Sequence, residues 1–189
     1  MPNRPVVRAA IMPRHVMNRI VGSRQIPILQ TQPMEPAYAK TLLELLRTQQ
    51  VASLGTLHEG LPYVSMVPFA ILPGGLGFVI HVSRLAAHTN DMLLRPEVSL
   101  LVIAPQTPEL PVQALARVTI QGVAVPTNEA AKDHAEAKAA YLTRFPQSAE
   151  MFTFADFSLF AIMAKSLRFV GGFAQATTIS AEALAAILS

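Results

Sequence analysis

From Leu61 to Ser83 the chain carries no Asp, Glu, Lys or Arg. A charge-free run of that length is long enough to suggest a membrane helix, but the residues within it argue otherwise. Pro62, Pro68, Pro73 and the Gly74-Gly75 pair would break a helix repeatedly, because proline lacks a backbone donor and its ring collides with the preceding turn. Strands joined by a turn satisfy the same apolar pattern without that conflict. The most apolar part of the chain is therefore expected to be buried sheet in a soluble protein, with no membrane partner. Arginine interrupts every apolar stretch nearer the N terminus, so no secretory hydrophobic region is read there and a cytoplasmic location is expected.

Composition sharpens this picture. Hydrophobic residues make up 51% of the 189-residue chain and charged residues only 14%, against about 25% charged in an average globular protein. Such a chain buries too much to be mainly disordered, and its length suits one domain with a sizeable core. The shortage of charge also points to a subunit interface. There is no cysteine, which excludes a disulfide scaffold and any thiolate-based metal, redox or nucleophilic site.

The net charge of +3 is unevenly placed. Arg4, Arg8, Arg14, Arg19 and Arg24 all lie in residues 1–34, which contain no acid, so the remainder carries −2. Residues 1–34 are read as a basic N-terminal arm: a mobile segment, a targeting sequence, or the product of a start assigned upstream of Met34. Residues 35–189 are read as a single domain. A nucleic-acid partner is not expected, because the domain lacks a basic face and the arm lacks aromatic residues for base stacking.

The element pattern is mainly β. Leu42, Leu43, Leu45 and Leu46 mark a helix over residues 35–50, with Pro36 in the first turn, where its missing N–H costs little. Strands are expected over residues 51–58, 63–72, 77–82, 98–104, 114–125, 157–163 and 167–173, with turns at Glu59-Gly60 and Pro73-Gly74-Gly75. Further helices are expected over residues 84–94, from an Asn128 cap to Arg144, and over residues 181–188 behind a Ser180 cap. Short links between strands favour antiparallel pairing, so the expected architecture is a β-barrel or strongly coiled sheet with peripheral helices.

Few residues point to chemistry. There is no G-x-S-x-G elbow and no phosphate-binding glycine fingerprint, so no catalytic side chain is assigned. Asp91, Asp133 and Asp156 lie in helical or turn contexts that read as solvated. His15, His58, His81, His88 and His134 are too scattered to suggest a metal site. One stretch is different in kind: residues 78–90, FVIHVSRLAAHTN, carry an apolar strand into a polar cluster that opens a helix. Free amides at a helix start favour an anion, and Ser83, Arg84, His88 and Thr89 would add donors, although Ser83 also suits a plain N-cap. Arg117, in an otherwise apolar strand, needs a carboxylate, an anionic ligand or an edge facing solvent.

Taken in order, LLRTQQVASLGTLHEGLPYVSMVPFAI, GFVIHVSRLAAHTNDMLLRPEVSLLV, ALARVTIQGVAV, YLTRFP and FSLFAIMAKSLRFVGGFAQA resemble the pyridoxamine 5'-phosphate oxidase-like flavoproteins, in the branch related to haem-utilisation proteins. The resemblance spans about residues 38–188. It implies an FMN-binding split barrel of six antiparallel strands that forms a homodimer, with flavin between the subunits, acting as an oxidoreductase on a small-molecule substrate. Carried over by position, Ser65, Ser83, Arg84, His88 and Thr89 become phosphate-side residues. Met66, Val67, His81 and Val82 would lie along the ring and ribityl chain, and Arg117 beside the flavin.

The sequence departs from the family at several positions. Ser65 and Ala70 stand where true pyridoxamine phosphate oxidases carry Arg and Lys, His88 stands near another expected Lys, and there is no Trp. Oxidation of pyridoxamine phosphate is therefore not implied. Haem is the alternative ligand, with His58, His81 or His88 as axial ligand, although the iron-binding histidine that haem-degrading relatives carry in a longer C-terminal region has no counterpart here. A barrel without a cofactor, serving as an interaction module, is the third reading.

Overall fold

A computed structural model describes residues 34–75, 77–172 and 175–188. Apart from Met34, the basic arm assigned to residues 1–34 lies outside the described residues. The rest follows the order α1 (Pro36–Thr48), β1 (Val51–His58), β2 (Leu61–Pro68), β3 (Ala70–Ile71), β4 (Gly77–Ser83), α2 (Ala87–Leu94), β5 (Glu97–Ile103), β6 (Arg117–Pro126), α3 (Lys132–Arg144), β7 (Phe157–Gly172), β8 (Gln175–Ser180) and α4 (Ala181–Leu188).

Among the described residues one antiparallel sheet holds every strand, in the order β2-β1-β5-β6-β7-β4-β3, with β8 added on β7. The two ends of that order, β2 and β3, are separated in the chain only by Phe69. A sheet whose opposite edges belong to one bent segment has to roll up, which is the geometry of a barrel. Counted as chain segments, the ring has six members: β2 with β3, then β1, β5, β6, β7 and β4. The fold is a mainly β split barrel with peripheral helices, as expected.

Side-chain alternation divides inside from outside. Ala52 and Leu54, Phe78, Ile80 and Val82, Leu100 and Val102, Val118 and Ile120, and Phe160 and Ile162 form one buried cluster, to which α1 adds Leu42 and Leu46 and α4 adds Leu184. Val79 and Leu159 face the opposite way, into a second cluster with Ala137, Tyr141 and Phe145. The charge-free run is thus β2, β3 and β4. Glu59 (φ 50°) and Gly60 (φ 85°) make its entry turn, both left-handed as a two-residue hairpin requires. At Gly77 (φ 152°) an added Cβ would lie 2.3 Å from the carbonyl oxygen of Ile162, so β4 can approach β7 only without a side chain there.

Several elements differ from expectation. The two strands expected over residues 157–173 are a single long β7. Opposite Gln121 and Gly122 the register skips Lys165, so the polar stretch Ala164-Lys165-Ser166 is accommodated by a bulge and the strand continues. An eighth strand, β8, pairs along β7 through Thr177, Thr178 and Ile179, a β-branched run whose Ile179 is buried. Helix α2 begins at Ala87 rather than Arg84, because the Ser83 hydroxyl accepts from Leu85 N–H (3.1 Å) and holds the chain in a turn first. Likewise Asn128 accepts from Ala130 N–H (3.1 Å) ahead of α3, which starts at Lys132. Ser180 does cap α4, accepting from Ala183 N–H at 3.3 Å.

Candidate functional site

Two polar groups surround the β4–α2 corner, separated by the pleat of β4. The first lies where α2 packs against the β1–β2 hairpin. Thr56 and His58 are two apart on β1, hence on one face, and Ser65 pairs opposite Leu54 on that same face. On α2, His88 and Asp91 are three apart, so they share the face turned toward the hairpin. His88 Nδ1 lies 3.0 Å from Ser65 Oγ. Asp91 is buried and accepts from Thr56 Oγ1 (2.8 Å) and from His58 Nδ1 (2.8 Å).

Burial alone pushes the Asp91 carboxyl up, but the bonds from His58 and Thr56 outweigh it and hold the group below its usual range. The bond to Asp91 in turn raises the pKa of His58. Burial lowers that of His88, whose Nε2 is enclosed without a partner. Asp91 is therefore a structural anion rather than the solvated side chain expected from sequence. The Thr-x-His spacing on a strand, with His-x-x-Asp on a helix, was the available signal for this cluster.

The second group lies on the outer face of β4. His81 is buried, stacked on Phe152 at 3.9 Å between ring centroids and 4° from parallel, with Tyr141 and Phe157 against its other sides. Desolvation lowers its pKa to about 4, so the ring is neutral at physiological pH. The Ser83 hydroxyl donates to Asp156 Oδ2 (2.9 Å), and the Arg84 guanidinium donates to the carbonyl oxygen of Ala155. An anion approaching these two donors would meet the Asp156 carboxylate. Beside them is a polar pocket of about 560 Å³ lined by His81, Arg84, Glu129, His134 and Lys138.

The sequence candidates therefore separate. Ser65 and His88 touch, and Thr89 is tied to Ser83 through its hydroxyl, which donates to the Ser83 carbonyl (2.7 Å). Val67 and Val82 are core side chains, so any ligand contact they make is through the main chain. Met66, between Ser65 and Val67, points to the other face and is 64% exposed. Arg117 donates to the carbonyls of Gln113 (3.2 Å) and Leu115 (3.0 Å), satisfying part of its guanidinium on its own approach loop. On the outer face of the β1–β2 hairpin a groove of about 580 Å³ runs past Leu57, Pro62, Val64, Gln121 and Lys165. Among the described residues no group of three or more His, Asp or Glu side chains is placed to hold a metal ion, and no helix is long and apolar enough to cross a membrane.

Comparison with known proteins adds to this geometry. Residues 38–171 match the pyridoxamine 5'-phosphate oxidase family. The chain is 40% identical over 125 residues to the non-canonical heme oxygenase HOZ, chloroplastic, of Arabidopsis thaliana, covering 66% of this chain and 36% of that protein. It is 27% identical over 139 residues to the heme oxygenase HutZ of Vibrio cholerae, covering 73% of this chain and 77% of that one. Among solved structures, a heme binding protein from Mycobacterium smegmatis superposes with a TM-score of 0.72 at 30% identity, over 81% of this chain and 62% of that one. The chain thus spans about a third of the plant relative and under two thirds of the mycobacterial protein. With its barrel matched over most of its described length, the chain belongs to the pyridoxamine 5'-phosphate oxidase-like family, in the branch related to haem-utilisation proteins.

Proposed function

We propose that this protein binds haem and belongs functionally with the haem-degrading members of its family. The observation that carries this reading is that two relatives, 40% and 27% identical, are both heme oxygenases, and that a solved structure 30% identical is a heme binding protein. FMN was the first expectation from the family resemblance; haem now has the stronger support.

The residues present suit an iron porphyrin, which needs an imidazole for the metal, apolar surface for the macrocycle and cations for the propionates. His58 has a side chain 45% exposed. Beside it, on the same face of the hairpin, lie Leu61 and Tyr63, both at least 40% exposed. The Arg95 guanidinium comes within 3.6 Å of where a Cβ on Gly60 would lie, so a cation stands at the hairpin turn. Bound haem supplies its own redox and oxygen chemistry. The protein's part is to hold the iron through an oriented imidazole, to cover the macrocycle with apolar side chains and to pair the propionates.

Titration of the purified chain with haemin is expected to give a saturable Soret shift at one haem per chain. Adding a reductant in air is then expected to bleach that band and release an open-chain tetrapyrrole. Binding without bleaching would point to storage or transfer; no Soret shift would overturn the reading. A flavin is the second reading, favoured by the family itself and by the Ser65–His88 contact between β2 and α2. It predicts flavin absorption in the protein as purified.

A further inference from the structure

The outer face of β4 carries a pocket of about 560 Å³ that the haem reading does not use. Three parts of the chain build it. From β4 comes His81, which points away from the barrel interior because Ile80 and Val82 on either side of it point inward. From α3 come His134 and Lys138, four residues apart and hence on one face. Between α3 and β7, the 3-10 helical turn Pro146–Thr153 and the residues after it supply Phe152 and Phe154, and β7 opens with Phe157.

Packing of α3 on β4 accounts for part of this. Val79, Tyr141, Phe145 and Leu159 are buried in one cluster, and Phe152 packs against it. Three features are left over. Phe154 is 48% exposed although it lines the pocket. Lys138 is half-buried with its ammonium over the Phe152 ring at 4.9 Å, and among the described residues no carboxylate pairs with it. His81 is only 6% exposed, and its Nδ1 is enclosed without a partner, where a buried polar atom ordinarily has one. An unpaired cation, an imidazole and aromatic rings around one cavity of ligand size are the means of holding a flat ring that carries negative charge.

We propose that this pocket binds a planar aromatic carboxylate, with its ring against Phe154 and Phe157 and its carboxylate on Lys138. Phe152 is already occupied on both faces, by His81 stacked at 3.9 Å and by Lys138, so the open aromatic surface is that of Phe154, whose ring is centred 6.2 Å from that of Phe157. The charges that act on the His81 ring are those of Lys138 and His134, and both push its proton off. The potential at that end of the pocket is therefore positive and favours an anion. Glu129, a carboxylate on the same wall, is exposed and is not among the charges acting on the ring. Arg84 is the poorer anchor, because it donates to the carbonyl of Ala155, next to Asp156.

The probe is 2-naphthoate, with 2-naphthol as its uncharged counterpart, each titrated calorimetrically into the full chain at pH 7. Naphthoate is expected to bind saturably, one per chain and about tenfold tighter than naphthol, the least that a hydrogen bond between charged groups supplies. Lys138→Met is expected to remove that difference and Lys138→Arg to keep it. Phe154→Ala is expected to weaken both probes about threefold through lost ring contact. Val64→Asp, on the β1–β2 hairpin, is expected to leave both affinities unchanged. In an NMR titration the pKa of His81, about 4 in the free protein, is expected to rise with naphthoate bound and to stay in place with naphthol. Haemin added first is expected to leave naphthoate binding intact; one-for-one displacement would make the pocket part of the haem site and overturn the proposal without touching the haem reading. Naphthoate binding that does not saturate, or that is the same in Lys138→Met and Phe154→Ala as in wild type, also overturns it. Should either variant fail to fold, the His81 titration of wild type decides alone, and an unmoved pKa overturns the proposal.

Discussion

The family resemblance places His81 along a bound flavin. Its neighbours give it a different physical role. Caged by Phe152, Tyr141 and Phe157, the ring is kept neutral, with its pKa lowered from 6.5 to about 4. A folded-state pKa below the unfolded value means that the unfolded chain takes up its proton first on acidification. The fold therefore loses stability as pH falls from about 6.5 to about 4, and this contribution levels off below that. The full displacement corresponds to at most about 3 kcal/mol. His81→Phe keeps the stacking and removes the titration, so its urea midpoint is expected to fall less than that of wild type between pH 7 and pH 4.5. Parallel loss in both proteins would show that His81 does not drive the acid sensitivity. The same reasoning explains which site residues were legible. Ser65 is named only through the family resemblance, and His88 through the polar run that opens a helix; the structure brings the two into contact. Asp91 reads as solvated because its burial depends on Thr56 and His58 arriving from β1, and the Thr-x-His and His-x-x-Asp spacings do not say which strand meets which helix.

Between elements, Arg144 joins two helices that the sequence leaves nearly a hundred residues apart. It ends α3, where a cation suits the helix dipole, and it donates to the carbonyls of Leu46 (3.1 Å), Arg47 (3.2 Å) and Gln49 at the end of α1. Those carbonyls belong to the last turn of a helix or just beyond it, where internal donors run out. Its guanidinium also lies over the Phe69 ring at 5.0 Å. Because the group is partly buried and charge-assisted, Arg144→Ala is expected to cost about 2–3 kcal/mol in urea unfolding. Arg144→Lys should recover part of this, since all three carbonyls converge on Nη2 alone, while the stacking of the flat guanidinium over Phe69 is lost. A loss under about 0.5 kcal/mol for Arg144→Ala would count against this role. Strands and turns were the most legible elements: β1 matches its expected bounds, and Glu59-Gly60 makes the expected turn. Bounds shifted where a side chain bonded its own backbone, as Ser83 and Asn128 do, and where a bulge carried β7 through a polar stretch that reads as a break.

For the whole molecule, the shortage of charge now has a location. The barrel interior buries one large apolar cluster, yet Leu61, Val64, Met66, Leu85 and Leu94 remain more than 60% exposed. Scattered singly, such residues need no explanation, but Leu61, Val64 and Met66 are packed along one edge strand, β2, at the end of the sheet order. An edge strand with uncovered apolar side chains invites a partner, and we propose a second copy of the chain, the partner that the family resemblance implies. Light scattering is expected to give a dimer for the full chain. The basic arm should not be required: without residues 1–33 the net charge falls from +3 to −2, and the dimer should persist if apolar contact holds it. Placing carboxylates in that contact is the stronger perturbation. Val64→Asp with Met66→Asp is expected to give a folded monomer, because both side chains point to the outer face and neither supports the core. A dimer that survives this double substitution, at concentrations where wild type is fully associated, would place the interface elsewhere on the barrel.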